Sequence, residues 1–138
     1  MRKADITAEL AAKLVADQFP QWADLQVRTV EHDGIDNTTF RLGETMSVRL
    51  PSAEHYVEQV EKEQHWLPVL APQLPLPIPQ PLARGVPGSD FPRPWSVYRW
   101  IEGTPLAAGR VTDMTTFAAD LADFLVALYK IDPTGGPD

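Results

Sequence analysis

Apolar side chains near the amino terminus repeat with the spacing of an α-helix. Between Thr7 and Phe19 they recur at intervals of three and four residues, at Leu10, Ala11, Leu14, Val15 and Phe19. This spacing places them on one face of a helix, and Pro20 cannot continue that helix. The pattern predicts a short amphipathic helix that packs on the rest of the fold.

Three β-prone segments follow, at residues 25–31, 38–42 and 46–50. The dipeptides Asp33-Gly34 and Gly43-Glu44 separate them, and glycine at such positions favours turns between strands. The sequence therefore predicts an antiparallel meander of three strands.

A second helix is predicted directly after the third strand. Ser52 is a suitable N-cap, and the helix is expected to run to about Trp66, because Pro68 disfavours helical geometry at Leu67. The segment from there to Trp95 is rich in proline, and proline lacks the amide hydrogen that a sheet ladder needs. This segment is therefore expected to be an extended connector or an edge strand.

The last part of the chain combines a strand and a helix. A strand rich in aromatic side chains is predicted at residues 95–101, and residues 102–105 form a turn or hinge after it. From Asp113 to Lys130 the periodicity predicts a final amphipathic helix. Its apolar stripe consists of Phe117, Leu121, Phe124, Leu125 and Leu128.

The composition narrows the class of protein. The chain has 138 residues, 43% apolar and 22% charged, which is typical of one globular domain. A formal charge of -7 argues against a nucleic-acid-binding surface. The absence of cysteine excludes disulfides and thiolate metal sites. The charged start is unlike a signal peptide and no apolar run reaches ~18 residues, so we expect a cytoplasmic protein with no membrane partner.

The segment between the first two strands, residues 31–40, lies where a kinase carries its glycine-rich loop. Backbone amides of that loop cover the nucleotide phosphates. The segment has one glycine, Gly34, where the kinase pattern has three. A simple hairpin turn is the alternative interpretation.

On the third strand, alternation places Ser47 and Arg49 on one face. A small residue two positions before a cation imitates the kinase pattern Val-Ala-Ile-Lys, in which the cation reaches the α- and β-phosphates. The planar guanidinium of arginine suits bidentate phosphate contact. Alternatively, Arg49 is a solvated side chain on an exposed strand face.

Glu63 is the one acidic member of a stripe on the second helix, which it shares with Tyr56, Val60, Leu67 and Leu70. A carboxylate buried in such a stripe needs a cationic partner, and Arg49 is the candidate in the kinase arrangement. If the stripe edge is exposed to water, Glu63 needs no partner.

Four segments together, residues 34–43, 48–51, 61–68 and 95–103, resemble the small lobe of the aminoglycoside phosphotransferase family. The resemblance implies an α+β, protein-kinase-like small lobe, with one helix packed on an antiparallel sheet of about five strands. A short helix would precede this lobe, and a hinge and one large-lobe helix would follow it. The resemblance also implies ATP or GTP with magnesium as cofactor and a small-molecule hydroxyl as acceptor.

By position, the resemblance assigns residues 34–38 to the phosphate-covering loop, Arg49 to phosphate contact and Glu63 to its helical partner. It makes Tyr98 the gatekeeper of a hinge whose backbone faces adenine, although an aromatic core strand would have the same sequence pattern. The implied cofactor-binding residues are Gly34, Asp36, Asn37, Thr38, Ser47, Arg49, Glu63, Tyr98, Arg99 and Ile101.

The catalytic segments of the family do not occur in this sequence. No His-Gly-Asp motif and no metal-binding Asp-Phe-Gly-like segment is present, so we expect no catalytic or metal-binding residue in it. We expect a nucleotide-binding lobe at residues 1–102, and a hinge exit and first large-lobe helix at residues 103–138. Such a chain is predicted to be inactive alone and to self-associate through its last helix. The alternative is a non-catalytic module that binds a nucleotide or a protein.

Overall fold

The computed structural model describes residues 1–103, 106 and 111–136. Its main elements are α1 (Ala8–Gln18), β1 (Val27–Thr29), β2 (Asn37–Leu42), β3 (Met46–Pro51), α2 (Val57–Leu70), β4 (Pro81–Gly85), β5 (Trp95–Arg99) and α3 (Met114–Tyr129). Thr104 and Pro105, which belong to the turn predicted after β5, lie outside the described residues.

The five strands form one antiparallel sheet in the order β1-β2-β3-β5-β4. The predicted α+β class and the five-stranded sheet are confirmed. β4 starts at Pro81 and lies at an edge of the sheet, as expected for a strand whose first residue cannot donate to a neighbour.

One face of the sheet packs on α1 and forms the apolar core. Leu14 and Val15 of α1 are buried against side chains of the sheet that include Phe40, Val48 and Trp95. The helix begins at Ala8, and the Thr7 hydroxyl caps it by accepting a hydrogen bond from the Leu10 amide at 3.2 Å.

The opposite face of the sheet carries α2. Ser47 pairs with Tyr98 and Arg49 pairs with Ser96, so all four side chains share this face. The side-chain amide nitrogen of Gln64 donates to the Ser96 hydroxyl at 2.9 Å and to a β4 carbonyl at 3.2 Å. These contacts fix α2 over the face that contains Arg49.

The predicted start of α2 was wrong. Ser52 is buried, and its hydroxyl lies 3.4 Å from the Thr38 hydroxyl, so it does not cap the helix. A 3-10 turn at Glu54–Tyr56 comes first, and α2 begins at Val57. The side chain of Ser52 therefore contacts β2 of the sheet and not the helix.

The predicted end of α2 was also wrong, because the helix continues through Pro68 to Leu70. Proline removes one helical hydrogen bond. The turn before it is held on the sheet by Gln64, and the Ala71 amide still donates to the Leu67 carbonyl. Tertiary contacts thus compensate for the missing backbone donor.

The last helix, α3, begins after Asp113, whose carboxylate accepts from the Thr116 amide at 3.0 Å. None of its residues is fully buried. Leu121, Leu125 and Leu128 are 45%, 40% and 36% exposed, whereas Phe117 and Phe124 are half-buried. The predicted apolar stripe is therefore partly open to solvent. In the described part of the chain, no helix combines the length and hydrophobicity needed to cross a bilayer.

Candidate functional site

A cleft of about 570 Å³ lies where three distant parts of the chain meet. It is lined by the β1–β2 loop at residues 34–37, by Arg49 of β3 and by Trp100 directly after β5. Val30 and His32, which follow β1, also contribute to its surface. The cleft therefore joins the predicted loop, the predicted cation and the end of the strand predicted at residues 95–101, where the observed strand has already stopped at Arg99.

Four of the ten predicted site residues line this cleft, namely Gly34, Asp36, Asn37 and Arg49. Thr38 does not, because alternation along β2 turns its buried side chain to the other face of the sheet, beside Ser52. Its neighbour Thr39 lines the cleft instead.

The remaining predicted residues lie deeper or further along the chain. Ser47, Glu63 and Tyr98 are on the α2 face but do not line the cleft. Arg99 and Ile101 are exposed at the end of β5. The Ile101 amide has no hydrogen-bond acceptor among the residues that the structure describes.

Two side chains fix the conformation of the β1–β2 loop. The Asp33 carboxylate accepts from the amides of Gly34 and Thr39, both at 2.9 Å. Lys3 Nζ donates to the carbonyl oxygens of Gly34 at 2.6 Å and Asn37 at 3.3 Å, and lies 3.3 Å from the second Asp33 oxygen. Side chains thus define a loop that has only one of the three kinase glycines.

Tyr98 connects Arg49 to Glu63. The Arg49 guanidinium carbon lies 4.5 Å from the centroid of the Tyr98 ring, and the Tyr98 hydroxyl donates to the Glu63 carboxylate. Burial raises the pKa of Tyr98 above its ordinary value of 10.0, and the hydrogen bond to Glu63 acts in the same direction. The hydroxyl therefore keeps its proton and remains a donor.

The predicted direct ion pair between Arg49 and Glu63 is not formed. Within residues 1–103, 106 and 111–136, no carboxylate lies within 4.0 Å of the Arg49 nitrogens. Both side chains do lie on the α2 side of the sheet, but the Tyr98 side chain satisfies each of them separately. The guanidinium consequently keeps its hydrogen-bonding edge free of carboxylates.

Trp100 is held at the cleft by its neighbours. The Arg41 guanidinium carbon lies 4.6 Å from the centroid of the indole ring, and Arg41 is fixed in turn by the Glu44 carbonyl at 2.7 Å and the Glu102 carboxylate at 3.0 Å. The Trp100 amide donates to the Thr45 carbonyl at 2.8 Å. The buried indole nitrogen has no hydrogen-bond partner among the described residues.

Among the described residues, no three histidine, aspartate or glutamate side chains are grouped closely enough to hold a metal ion together.

Sequence reasoning missed Lys3, Asp33, Thr39 and Trp100. Thr39 was accessible to it, because strand alternation and the pairing of Thr39 with Arg49 place both on one face. Lys3 gave no signal, because its contacts span 31 and 34 residues.

Several solved structures share this fold. The GDP complex of wild-type aminoglycoside 2'-phosphotransferase-IIIa matches with a TM-score of 0.81 and 23% identity, over 92% of this chain and 43% of that chain. The gentamicin complex of APH(2")-IIa matches with a TM-score of 0.65 and 22% identity, over 92% and 40%. The streptomycin-ATP ternary complex of APH(2")-IIa gives 0.60 and 22%, over 92% and 41%. This chain therefore spans less than half the length of these relatives and has the kinase-like small-lobe fold.

No functionally curated protein matches the sequence. The family model described as the phosphotransferase enzyme family, APH, matches residues 27–138, which is most of the chain. The match includes the loop, the cation and the strand that surround the cleft. The chain belongs to the phosphotransferase enzyme family.

Proposed function

We propose that this chain forms the nucleotide-binding lobe of a phosphotransferase that uses ATP or GTP to phosphorylate a hydroxyl group of an aminoglycoside-like small molecule. The observation that carries the proposal is the cleft in which residues 34–37 and Arg49 meet Trp100. Loop amides and a guanidinium suit phosphate oxygens, and an aromatic ring offers apolar surface to a base. Solved relatives of the same fold are complexes with GDP or ATP.

Arg49 is the phosphate-binding cation in this proposal. Its guanidinium rests on the Tyr98 ring and is not neutralised by a carboxylate of the described residues. Glu63 acts through the Tyr98 hydroxyl and so fixes the surface on which Arg49 lies. The Arg99 carbonyl and the Ile101 amide are proposed to contact the edge of the base.

The chemical step is proposed to need residues outside this sequence. Phosphoryl transfer requires a group that orients the acceptor hydroxyl and ligands that hold magnesium, and we propose that another part of the complete enzyme supplies both. We propose that residues 1–102 form the nucleotide lobe and that residues 103–138 lead into a catalytic lobe. The chain alone is then inactive and binds nucleotide weakly. The complete reaction would take place in the cytoplasm, where nucleoside triphosphates are available.

The isolated chain is also proposed to self-associate through α3. Leu121, Leu125 and Val126 are at least 40% exposed. Burying an apolar side chain of this size contributes about 1.5–3 kcal/mol. A second copy of α3 supplies a matching apolar surface with two-fold symmetry.

A nucleotide titration followed by NMR tests the proposed site. The wild-type chain should bind ATP or GTP with a Kd no tighter than about 0.1 mM, about -5.5 kcal/mol, since the proposed catalytic lobe would supply the remaining contacts. Arg49→Gln should weaken this binding about fivefold to tenfold, because a charge-assisted bond to phosphate is lost. Arg84→Gln is the matched control, because Arg84 pairs with Glu61 and does not line the cleft.

The titration distinguishes the proposed nucleotide-binding lobe from a self-sufficient nucleotide-binding module. Absence of binding at millimolar nucleotide, or an equal loss in both variants, would refute a nucleotide site around Arg49. Micromolar binding that depends on magnesium would instead indicate a self-sufficient nucleotide-binding module, because the fragment would then possess its own metal ligands.

A further inference from the structure

We propose that Lys3 positions the β1–β2 loop for phosphate binding by holding loop carbonyl groups on the side away from the cleft. The proposal rests on the function proposed for the cleft. It assigns a role to the segment before α1, which the sequence patterns of the nucleotide site do not include.

The ammonium group of Lys3 contacts the loop at three oxygen atoms. It has three donors, and three oxygen atoms lie within 3.3 Å of it. These belong to the carbonyls of Gly34 and Asn37 and to the Asp33 carboxylate. The Lys3 side chain is 43% exposed, yet its ammonium group contacts both ends of a single loop.

By holding the Gly34 carbonyl, Lys3 also sets the direction in which the Ile35 amide points. The peptide after Gly34 is trans, so its carbonyl and the Ile35 amide point in opposite directions. Lys3 holds that carbonyl and does not line the cleft, whereas Gly34 and Ile35 do. The Ile35 amide has no hydrogen-bond acceptor among the described residues. An unpaired loop amide directed away from Lys3 is suited to an anion.

The position of Lys3 is itself fixed on both sides. The guanidinium of Arg93, which is 6% exposed, donates to the Met1 carbonyl at 2.7 Å and to the Pro51 carbonyl at 3.0 Å. On the other side, Ile6 is buried in the core. Because the segment is anchored before nucleotide arrives, little conformational freedom remains to be lost when the loop binds phosphate.

The test compares Lys3→Met, Lys3→Arg and the control Lys13→Met in the full chain. Lys13 also contacts carboxylates, those of Asp17 and Asp90, but lies outside the cleft. Hydrogen exchange at the Gly34 and Thr39 amides, measured without nucleotide, reports opening of the loop. NMR titrations with ATP, GTP and the two nucleosides report binding with and without phosphates.

We expect Lys3→Met to accelerate exchange at both amides about threefold to tenfold, the effect of losing one or two hydrogen bonds. It should weaken triphosphate binding by a similar factor and leave nucleoside binding unchanged. Lys3→Arg should retain most of both properties, and Lys13→Met should resemble the wild type.

Each of the other possible results contradicts one step of the proposal. Unchanged exchange in Lys3→Met would show that Lys3 does not hold the loop. Faster exchange with unaltered triphosphate binding, or equal losses for triphosphate and nucleoside, would remove its role toward phosphate. If the wild type binds no triphosphate, the proposed function fails. The exchange measurement alone then decides whether Lys3 holds the β1–β2 loop.

Discussion

Replacing Tyr98 with phenylalanine would remove one hydroxyl from the junction between β5 and α2. The ring can remain beneath Arg49, but Glu63 loses its donor. A hydrogen bond to a charged group contributes about 1.5–3 kcal/mol. Glu63 is only partly buried, so water can replace the donor in part, and we expect a destabilisation of about 1–2 kcal/mol.

A double-mutant cycle in urea isolates this interaction. Tyr98→Phe and Glu63→Ala, measured singly and together, should give a coupling energy of about 1–2 kcal/mol. Tyr129→Phe is the control, because Tyr129 is 85% exposed, and it should not change the free energy of unfolding. A coupling energy below about 0.5 kcal/mol would refute the connection from α2 through Tyr98 to Arg49.

The same hydroxyl should make stability depend on pH. Because the pKa of Tyr98 is raised above 10.0 in the folded state, its contribution is complete below pH 10.0. It is lost as the pH rises above that value, since the unfolded chain then releases the proton first. The wild type should therefore lose stability more steeply above pH 10.0 than Tyr98→Phe does, and parallel curves would contradict the assignment.

Two further predictions concern the sheet and the last helix. Gly85→Ala should lower the free energy of unfolding, measured in urea, by about 1–3 kcal/mol. The new Cβ would lie 1.8 Å from an atom of the fully buried Trp95 ring. The control Gly88→Ala should be neutral, because a Cβ there has nothing within 4 Å. A twofold loss or less in the folding equilibrium constant of Gly85→Ala would contradict this packing. In light scattering across a concentration series, the wild type should self-associate, Leu125→Glu should shift it toward monomer, and Thr115→Glu, at an exposed position, should not. A wild type that is monomeric at every concentration would show that α3 needs no partner.

Local patterns were sufficient for the parts of the fold that depend on neighbours in sequence. The bounds of α1 followed to within one residue from its apolar period and from Pro20. The alternation of β3 correctly placed Arg49 with Ser47 on one face, and this face proved to be the one beneath α2. These features depend on residues that are close together in the sequence, so the spacing of apolar and polar residues is sufficient to predict them.

Features set by distant contacts could not be predicted in the same way. The contact between Tyr98 and Arg49 depends on the register between β3 and β5, which no local sequence pattern predicts. The proline rule at Pro68 failed because Gln64 fixes the preceding turn on the sheet. Lys3 reaches the loop across more than thirty residues, and no spacing rule relates such positions.

The two edges of the sheet have a consequence for how the isolated chain can aggregate. β1 has three residues, and β4 begins with Pro81 and is irregular between Pro81 and Ala83. Short, proline-bearing or bulged edges are poor templates for an added strand. Strand addition into fibrils is therefore disfavoured at both ends of the sheet. The association proposed for α3 would instead use a two-fold contact, which closes on itself and gives particles of finite size.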